Sequence, residues 1–512
     1  MGFYGILLSA KKERKNRQGL SCFLFYLVPS RLTSAMLKFI DSVLLLFRSC
    51  FHRFAAFKWF VVIIVGLMIR SDSLGITSVI RDLTLNPNGY ESMIHFFRSS
   101  AWSLDDLRQK WLRIVLKFAP LKREAGAVIL VGDGVKQSKE ARHMPGVKKL
   151  YQESEDVSKS AFIFGHLWGA VGVLIGTAGK VLCLPLFLNL QDGVKSIFSW
   201  EDGHKACEDS HVVQMIDQGY SAAKVLGRAL FLLDRYFLSV PALQRLDLRN
   251  QEGTVKLDLV TRAKASAAAY EYPVQTGRRG RPRKKGVKVK LNTLFASRSD
   301  AFQAVTLSLY GKEEPVSYLC QDLLWGTGMY HELRFVLVKM CGRQDILAST
   351  DLTLSPEAII RLYARRFTIE TTFRTMKQSL GAFTYHFWSR SMPKLNRYLK
   401  KDESQPLDQV IDRNDRKRIL QAVNAMEGYM MCSCIALGLL QMVALRYSKK
   451  VPQLFFRYLR TPSKSIVSEA TVMAYLRRSI YCLFARNPRL TLTQIIREKQ
   501  DTPEVQDELR VS

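Results

Sequence analysis

The sequence predicts an α/β fold interrupted by a β-rich insertion and flanked by helical segments, and three observations predict it. Ala127–Val131 and Ala229–Leu233 are continuous apolar runs of strand length, each ending in an aspartate, as strands covered on both faces read. Helical periodicity falls between them and after them. A stretch of short β-like runs then separates this α/β layer from a last helix with a well-marked start.

Taken in order, residues 1–35 fit no pattern and read as a mobile leader, with Met36 as an alternative start. Residues 36–120 read as a helical N-terminal domain: Leu37, Ile40, Val43, Leu44 and Phe47 recur at spacings of three and four. Residues 121–265 form the first part of the α/β core. Its strands are at Ala127–Val131, within 161–175 and 181–189, at Ala229–Leu233 and at Val255–Arg262. A helix over about 209–226 is expected to stop at Gly227, a residue suited to a C-cap. Residues 266–352, with β-like runs at 288–295, 302–310, 316–324 and 332–339, are expected not to continue that layer. Residues 353–400 hold the second part of the core. Ser355-Pro356-Glu357 supplies an N-cap, a proline at the first helical position and an early acid, so one helix is predicted from there to about Leu380. Residues 401–512 are again helical.

Charge narrows the function. Lys and Arg number 76 against 45 Asp and Glu, a net +31, which favours a polyanionic partner, nucleic acid before a membrane surface. The nine cysteines form no CxxC pair and are too scattered for a zinc site or a disulfide framework; reduced thiols in a cytoplasmic protein are expected. Trp59–Ile69 is continuously apolar but far shorter than the roughly 20 residues a membrane span needs.

The chemistry centres on three acids. Asp133 and Asp234 follow equivalent strands, and ligands of α/β sheets gather at the carboxyl ends of strands. Each alone reads equally as a turn or cap residue. Glu370 changes the balance. At about 100° per residue, Tyr363, Arg366 and Lys377 lie roughly +20°, −40° and −20° from it, all on one face. Ile359, Phe367 and Phe373 lie beside them, so that face is expected to be buried. A carboxylate and two cations in an apolar stripe are costly unless paired or liganded. An Arg366–Glu370 pair alone would leave Lys377 and both aspartates unexplained. Jointly, Asp133, Asp234 and Glu370 would hold two divalent ions, expected to be Mg²⁺ with Mn²⁺ able to substitute, for phosphodiester chemistry. No GxxxxGK[ST] loop is present, which argues against an ATP-driven motor.

Tyr363, two residues, Arg366, three residues, Glu370, six residues and Lys377 together resemble the YREK signature of the IS4-type DDE transposases of bacterial insertion sequences. Asp133 in VGDG and Asp234 in LLDRYF fall where that family carries its first and second acids. The resemblance covers about residues 55–400. It departs in one respect: Arg-Tyr-Phe follows Asp234 where relatives often have a small residue and then an aromatic. The resemblance implies a ribonuclease H-like catalytic core, Mg²⁺ dependence, and cut-and-paste transposition of an element with terminal inverted repeats. It implies double-stranded DNA as partner, a homodimer in the synaptic complex, a cytoplasmic, nucleoid-associated location, and Tyr363, Arg366 and Lys377 as DNA-end contacts.

An independent signal lies at Gly277–Gly286, where Arg279, Gly280, Arg281, Pro282 and Arg283 make an AT-hook-like segment. Two readings stand: an Arg-Gly-Arg strip along an A·T-rich minor groove, or a solvated loop making non-specific phosphate contacts. Lys136, Lys139, Lys148 and Lys149 either line a DNA path or form a solvated face, and His166 reads as a core histidine. Glu313 and Glu314 lack basic companions and are not candidates for the third acid. Two other functions compete with transposition: a catalytically inactive, transposase-derived DNA-binding protein, and a related nuclease without strand transfer.

Overall fold

The computed structural model describes residues 30–72, 75–152, 160–177, 179–191, 197, 200, 210–274, 282–396, 406–455 and 466–500. The chain divides into two compact units, residues 1–102 together with 439–512, and residues 103–438. Of the two expected flanking domains, the residues up to 102 and those from 439 fall in one unit, while 103–120 and 401–438 fall in the other. The leader expected at 1–35 lies outside the described residues up to 29, and helix α1 (Ser30–Leu46) begins before Met36.

Helix-end chemistry shows why the two segments of the first unit belong together. Asp41 of α1 accepts a 2.7 Å hydrogen bond from the Leu492 N–H, at the start of the helix Thr491–Lys499, where backbone donors lack partners. Arg477 donates from Nε to the Ile69 carbonyl at 2.7 Å, closing the C-terminus of α2 (Phe54–Ile69) with a cation. Helix α2 is buried almost all round, which explains its membrane-like composition. Gly66 is needed there because a methyl group would lie 2.3 Å from Val79 of α3 (Thr77–Asp82), which is followed in the chain by α4 (Gly89–Arg98) and, within the second unit, α5 (Leu104–Phe118). Among the described residues one helix, Arg413–Lys450, is long and apolar enough to cross a membrane, yet 94% of its most apolar stretch is buried within the protein.

The second unit is built on a mixed sheet of 13 strands among the described residues. Strands β1 (Ala127–Ser138), β2 (Phe162–Thr177) and β3 (Lys180–Leu190) form an antiparallel meander. After α6 (His211–Leu226), β4 (Ala229–Leu232) pairs parallel with β1; after α7 (Val240–Glu252), β5 (Leu257–Arg262) pairs parallel with β4. The spatial order is thus β3-β2-β1-β4-β5. Helix α6 ends at Gly227, whose φ of +93° and N–H bond to the Ala223 carbonyl fit the expected cap. Gly132 of β1 and Gly219 of α6 both face Phe231, whose ring fills the space two side chains would need.

The β-rich stretch differs from expectation in its placement. Strands β6 (Gln303–Leu309), β7 (Lys312–Trp325), β8 (His331–Met340) and β9 (Arg343–Ser349) are consecutive hairpins. Tyr310-Gly311 and Cys341-Gly342 supply the paired positive φ angles that two-residue hairpin turns require. Strand β9 then pairs antiparallel with β5, Ser349 opposite Val260, so the insertion extends the core sheet. Expected strand 288–295 shrinks to Lys288–Lys290, followed by short helical turns.

The last core helix also differs. Ser355 accepts from the Ala358 N–H at 3.2 Å and Pro356 stands at the first position, as expected. The helix is nevertheless two: α8 (Pro356–Tyr363) and α9 (Thr368–Gln378). Between them the backbone tightens to three-residue bonds, Arg366 N–H to Tyr363 and Thr368 N–H to Arg365, both 3.0 Å. The Thr368 hydroxyl bonds back to the Arg365 carbonyl at 2.8 Å, competing with α-helical pairing there. Downstream, Gly381 adopts φ +58°, and the Ala382 N–H reaches the Met376 carbonyl to close α9.

Candidate active site

Register brings the first two acids together. Val131 stands opposite Leu232 on the parallel pair β1–β4. Two residues further on each chain come Asp133 and Asp234, near enough for the Asp234 charge to act on the Asp133 carboxyl. Asp234 is held by its carbonyl, which accepts from the buried Thr261 hydroxyl of β5 at 3.0 Å. Helix α9 packs on this sheet, and the Thr372 hydroxyl donates to the Cys183 carbonyl of β3 at 2.8 Å.

Arg366 joins the third acid to the first. Its Nη1 lies 3.0 Å from Asp133 Oδ2 and its Nη2 lies 2.5 Å from Glu370 Oε1. Burial pushes the Asp133 carboxyl up to about 6, against the Arg366 charge and a 2.8 Å bond from the Gly134 N–H; the Asp234 charge pushes the same way as burial. Arg366 is half-buried, which opposes its charge. The fields of Asp133, Tyr363, Asp234 and Glu370 outweigh this and hold its pKa above the ordinary arginine value. Burial raises the Tyr363 phenol, Arg366 opposes the rise and Asp234 adds to it, so Tyr363 stays a hydrogen-bond donor.

The buried face expected for these residues is corrected. With the helix broken at 364–367, Tyr363 ends α8, Arg366 sits in the joint, and Glu370 and Lys377 ride α9. Ile369, Thr372, Phe373 and Met376 are the buried residues of α9; the Glu370 side chain is 52% exposed, and Lys377 is exposed with its ammonium 5.5 Å from the Phe383 ring centre. Tyr363, Arg366, Asp133, Asp234 and Glu370 come together, while Lys377 forms no ion pair with any of the three acids.

Among the described residues no three acid, histidine or cysteine side chains stand close enough to hold an ion as placed, because the Arg366 guanidinium bridges Asp133 and Glu370. The donor chemistry nonetheless fits a hard divalent cation: Asp133 and Glu370 share one guanidinium, the Asp234 charge acts on both Arg366 and Asp133, and desolvation holds the Asp133 carboxyl above its ordinary range.

Other expected positions divide. Arg279 and Arg281 lie outside the described residues; Arg283 is exposed and lines a shallow cavity with Lys284, Lys285 and Tyr330. Lys139, read as a DNA-path or solvated residue, is buried. Its Nζ donates to the Phe383 and Tyr385 carbonyls at 2.7 and 2.8 Å and lies 3.8 Å from the Tyr385 ring centre, and burial lowers it to about 8. His166 is a satisfied core histidine. Nε2–H donates to the Pro145 carbonyl at 2.9 Å and Nδ1 accepts from the Tyr385 hydroxyl at 2.6 Å, while burial lowers it to about 3. Beside Asp234, sequence reasoning missed a cavity of about 420 Å³ walled by Arg235, Lys264, Lys288, Tyr270 and Trp325. It also missed His211, which packs against Tyr236 and Phe237. Only Arg235, next to Asp234 in sequence, carried a signal.

No curated protein matches the chain. A family model described as DDE superfamily endonuclease matches residues 46–313, a little over half of the chain. The match takes in Asp133 and Asp234 and stops before Glu370. Such enzymes cut DNA with divalent metal ions, and with this match over more than half of its length the chain belongs to the DDE superfamily endonucleases.

Proposed function

We propose that the protein is a DDE transposase of the IS4 type, with a ribonuclease H-like core that performs cut-and-paste transposition of an insertion sequence. The single observation that carries the reading is that Arg366 bridges Asp133 and Glu370 while the Asp234 charge bears on the same guanidinium. The strand order β3-β2-β1-β4-β5, with the last two parallel to β1, supports the core. In this reading Asp133, Asp234 and Glu370 hold two Mg²⁺ ions, with Mn²⁺ as substitute. Such a pair, when bound, lowers the pKa of a water or 3′-hydroxyl and stabilises the leaving oxygen.

The chain's own residues do the rest. The β1–β4 register and Thr261 fix the two aspartates before substrate arrives. Arg366 keeps Asp133 and Glu370 from repelling one another and offers its guanidinium to a phosphate of the DNA end. Tyr363 donates its O–H there, and Lys377 contacts the backbone further out. Arg279, Arg281 and Arg283 add a basic strip for terminal inverted repeats or target DNA. Synapsis of two ends calls for a homodimer, working at the nucleoid in the cytoplasm.

The test is a cleavage assay on duplexes bearing the sequences that flank the gene, with Mg²⁺ or EDTA, and with wild type or Glu370→Gln. Cuts at defined ends that vanish with EDTA and with Glu370→Gln, followed by a joined product, are the expected result. Cutting without joining identifies a nuclease, and binding without any cut identifies an inactive DNA-binding protein.

A further inference from the structure

The Arg-Tyr-Phe after Asp234 is the feature by which the chain departs from its resemblance, and the catalytic reading leaves it unused. These residues form one 3₁₀ turn, Arg235–Phe237, directly behind the second acid. Its two aromatics are treated oppositely. Phe237 is 2% exposed and anchors the turn, whereas Tyr236 is 59% exposed. Burying Tyr236 would be favourable in a protein that had no other use for it.

The exposed ring is held in place. It stands edge-on to Phe237, with centroids 5.6 Å apart and planes at 90°. It leans at 32° against the His211 imidazole, 5.8 Å away. His211, the first residue of α6, also contacts Phe237 at 5.2 Å. Its Nε2 lies 3.3 Å from where a Gly134 methyl would be, so the imidazole also sits close against the residue after Asp133. The aromatic step therefore reaches from the turn after Asp234 to the residue after Asp133. Exposed Arg235 adds positive charge on one side.

We infer that Tyr236, propped by His211 and Phe237, is a substrate-contacting residue that stacks on a base next to the phosphate being cut. A ring already fixed by two neighbours loses little rotamer freedom on binding. Every base offers a π-face, so such a contact tolerates many sequences, while the neighbouring arginine suits the adjoining phosphate. The inference rests on the proposed DNA-cutting function, and it adds a specific contact at the cut.

The test walks a single abasic position through the terminal nucleotides of each strand of duplexes bearing the gene's flanking sequences. Binding is measured for the full chain carrying Glu370→Gln in Mg²⁺, with and without Tyr236→Ala. One abasic position is expected to weaken binding roughly 5- to 150-fold. Tyr236→Ala should weaken binding to the intact duplex by a similar factor and make that position silent, and Tyr236→Phe should restore the intact behaviour. Equal loss at every position with Tyr236→Ala, no loss at all, or no binding to any duplex overturns the inference. If the abasic coupling is present but wild type never cuts DNA, the base contact stands and the proposed function fails.

Discussion

Asp133→Asn tests the electrostatics of the site most directly. The Asp133 carboxyl is raised from 3.8 to about 6 by burial, and its side chain is only 22% exposed. A folded pKa above the unfolded one means that the group's stabilising contribution is fully present below pH 3.8 and is lost as pH rises through about 6. At pH 7 the ionised carboxylate therefore costs about 3 kcal/mol, because each tenfold change in proton affinity corresponds to roughly 1.4 kcal/mol. Asparagine keeps an oxygen for the Gly134 N–H without the buried charge. Urea unfolding of both proteins in metal-free buffer from pH 4 to pH 7 should show the variant gaining on wild type as pH rises, by about 3 kcal/mol at the top. Adding Mg²⁺ should reverse the trend: wild type gains about 2.7 kcal/mol at a hundred times its Kd, and the variant gains less. A variant less stable than wild type at pH 7 without metal, or a gap independent of pH, refutes the reasoning.

Three further outcomes are expected. Lys139→Met should cost about 1–3 kcal/mol for each carbonyl it leaves without a donor, visible in the unfolding midpoint. Ser355→Ala should cost about 0.5–2 kcal/mol through the lost cap on α8, read from the same measurement. Deleting 277–286 should weaken DNA binding and flatten its dependence on salt; an unchanged slope would remove that segment from the interface.

The first two acids were legible because each follows a continuous apolar run, and parallel pairing of those two runs brings the residues after them close together. Glu370 was legible by its spacing to Arg366, which survives the break because the tightened joint still brings the guanidinium to both carboxylates. The break itself was not legible. It depends on where the Thr368 hydroxyl turns, and propensity carries no such information. Neither was the attachment of the insertion: pairing of Ser349 with Val260 is a long-range choice that no local pattern records. Lys139 was misread because a lysine buried on two carbonyls of a distant loop looks, in sequence, like any other in a basic run.

The pairing of β9 with β5 has an evolutionary consequence. The chain leaves the core after Arg262 and returns beside that strand at Ser349, just before the glutamate-bearing helices begin. What lies between is a closed excursion whose two ends meet. Its hairpins also brace the glutamate-bearing helices, Tyr310 packing on Phe367 at the joint and Tyr318 bonding to Glu357, so the excursion can vary freely only beyond those contacts. Selection can thus reshape how such an enzyme grips its substrate while the carboxylates are inherited unchanged.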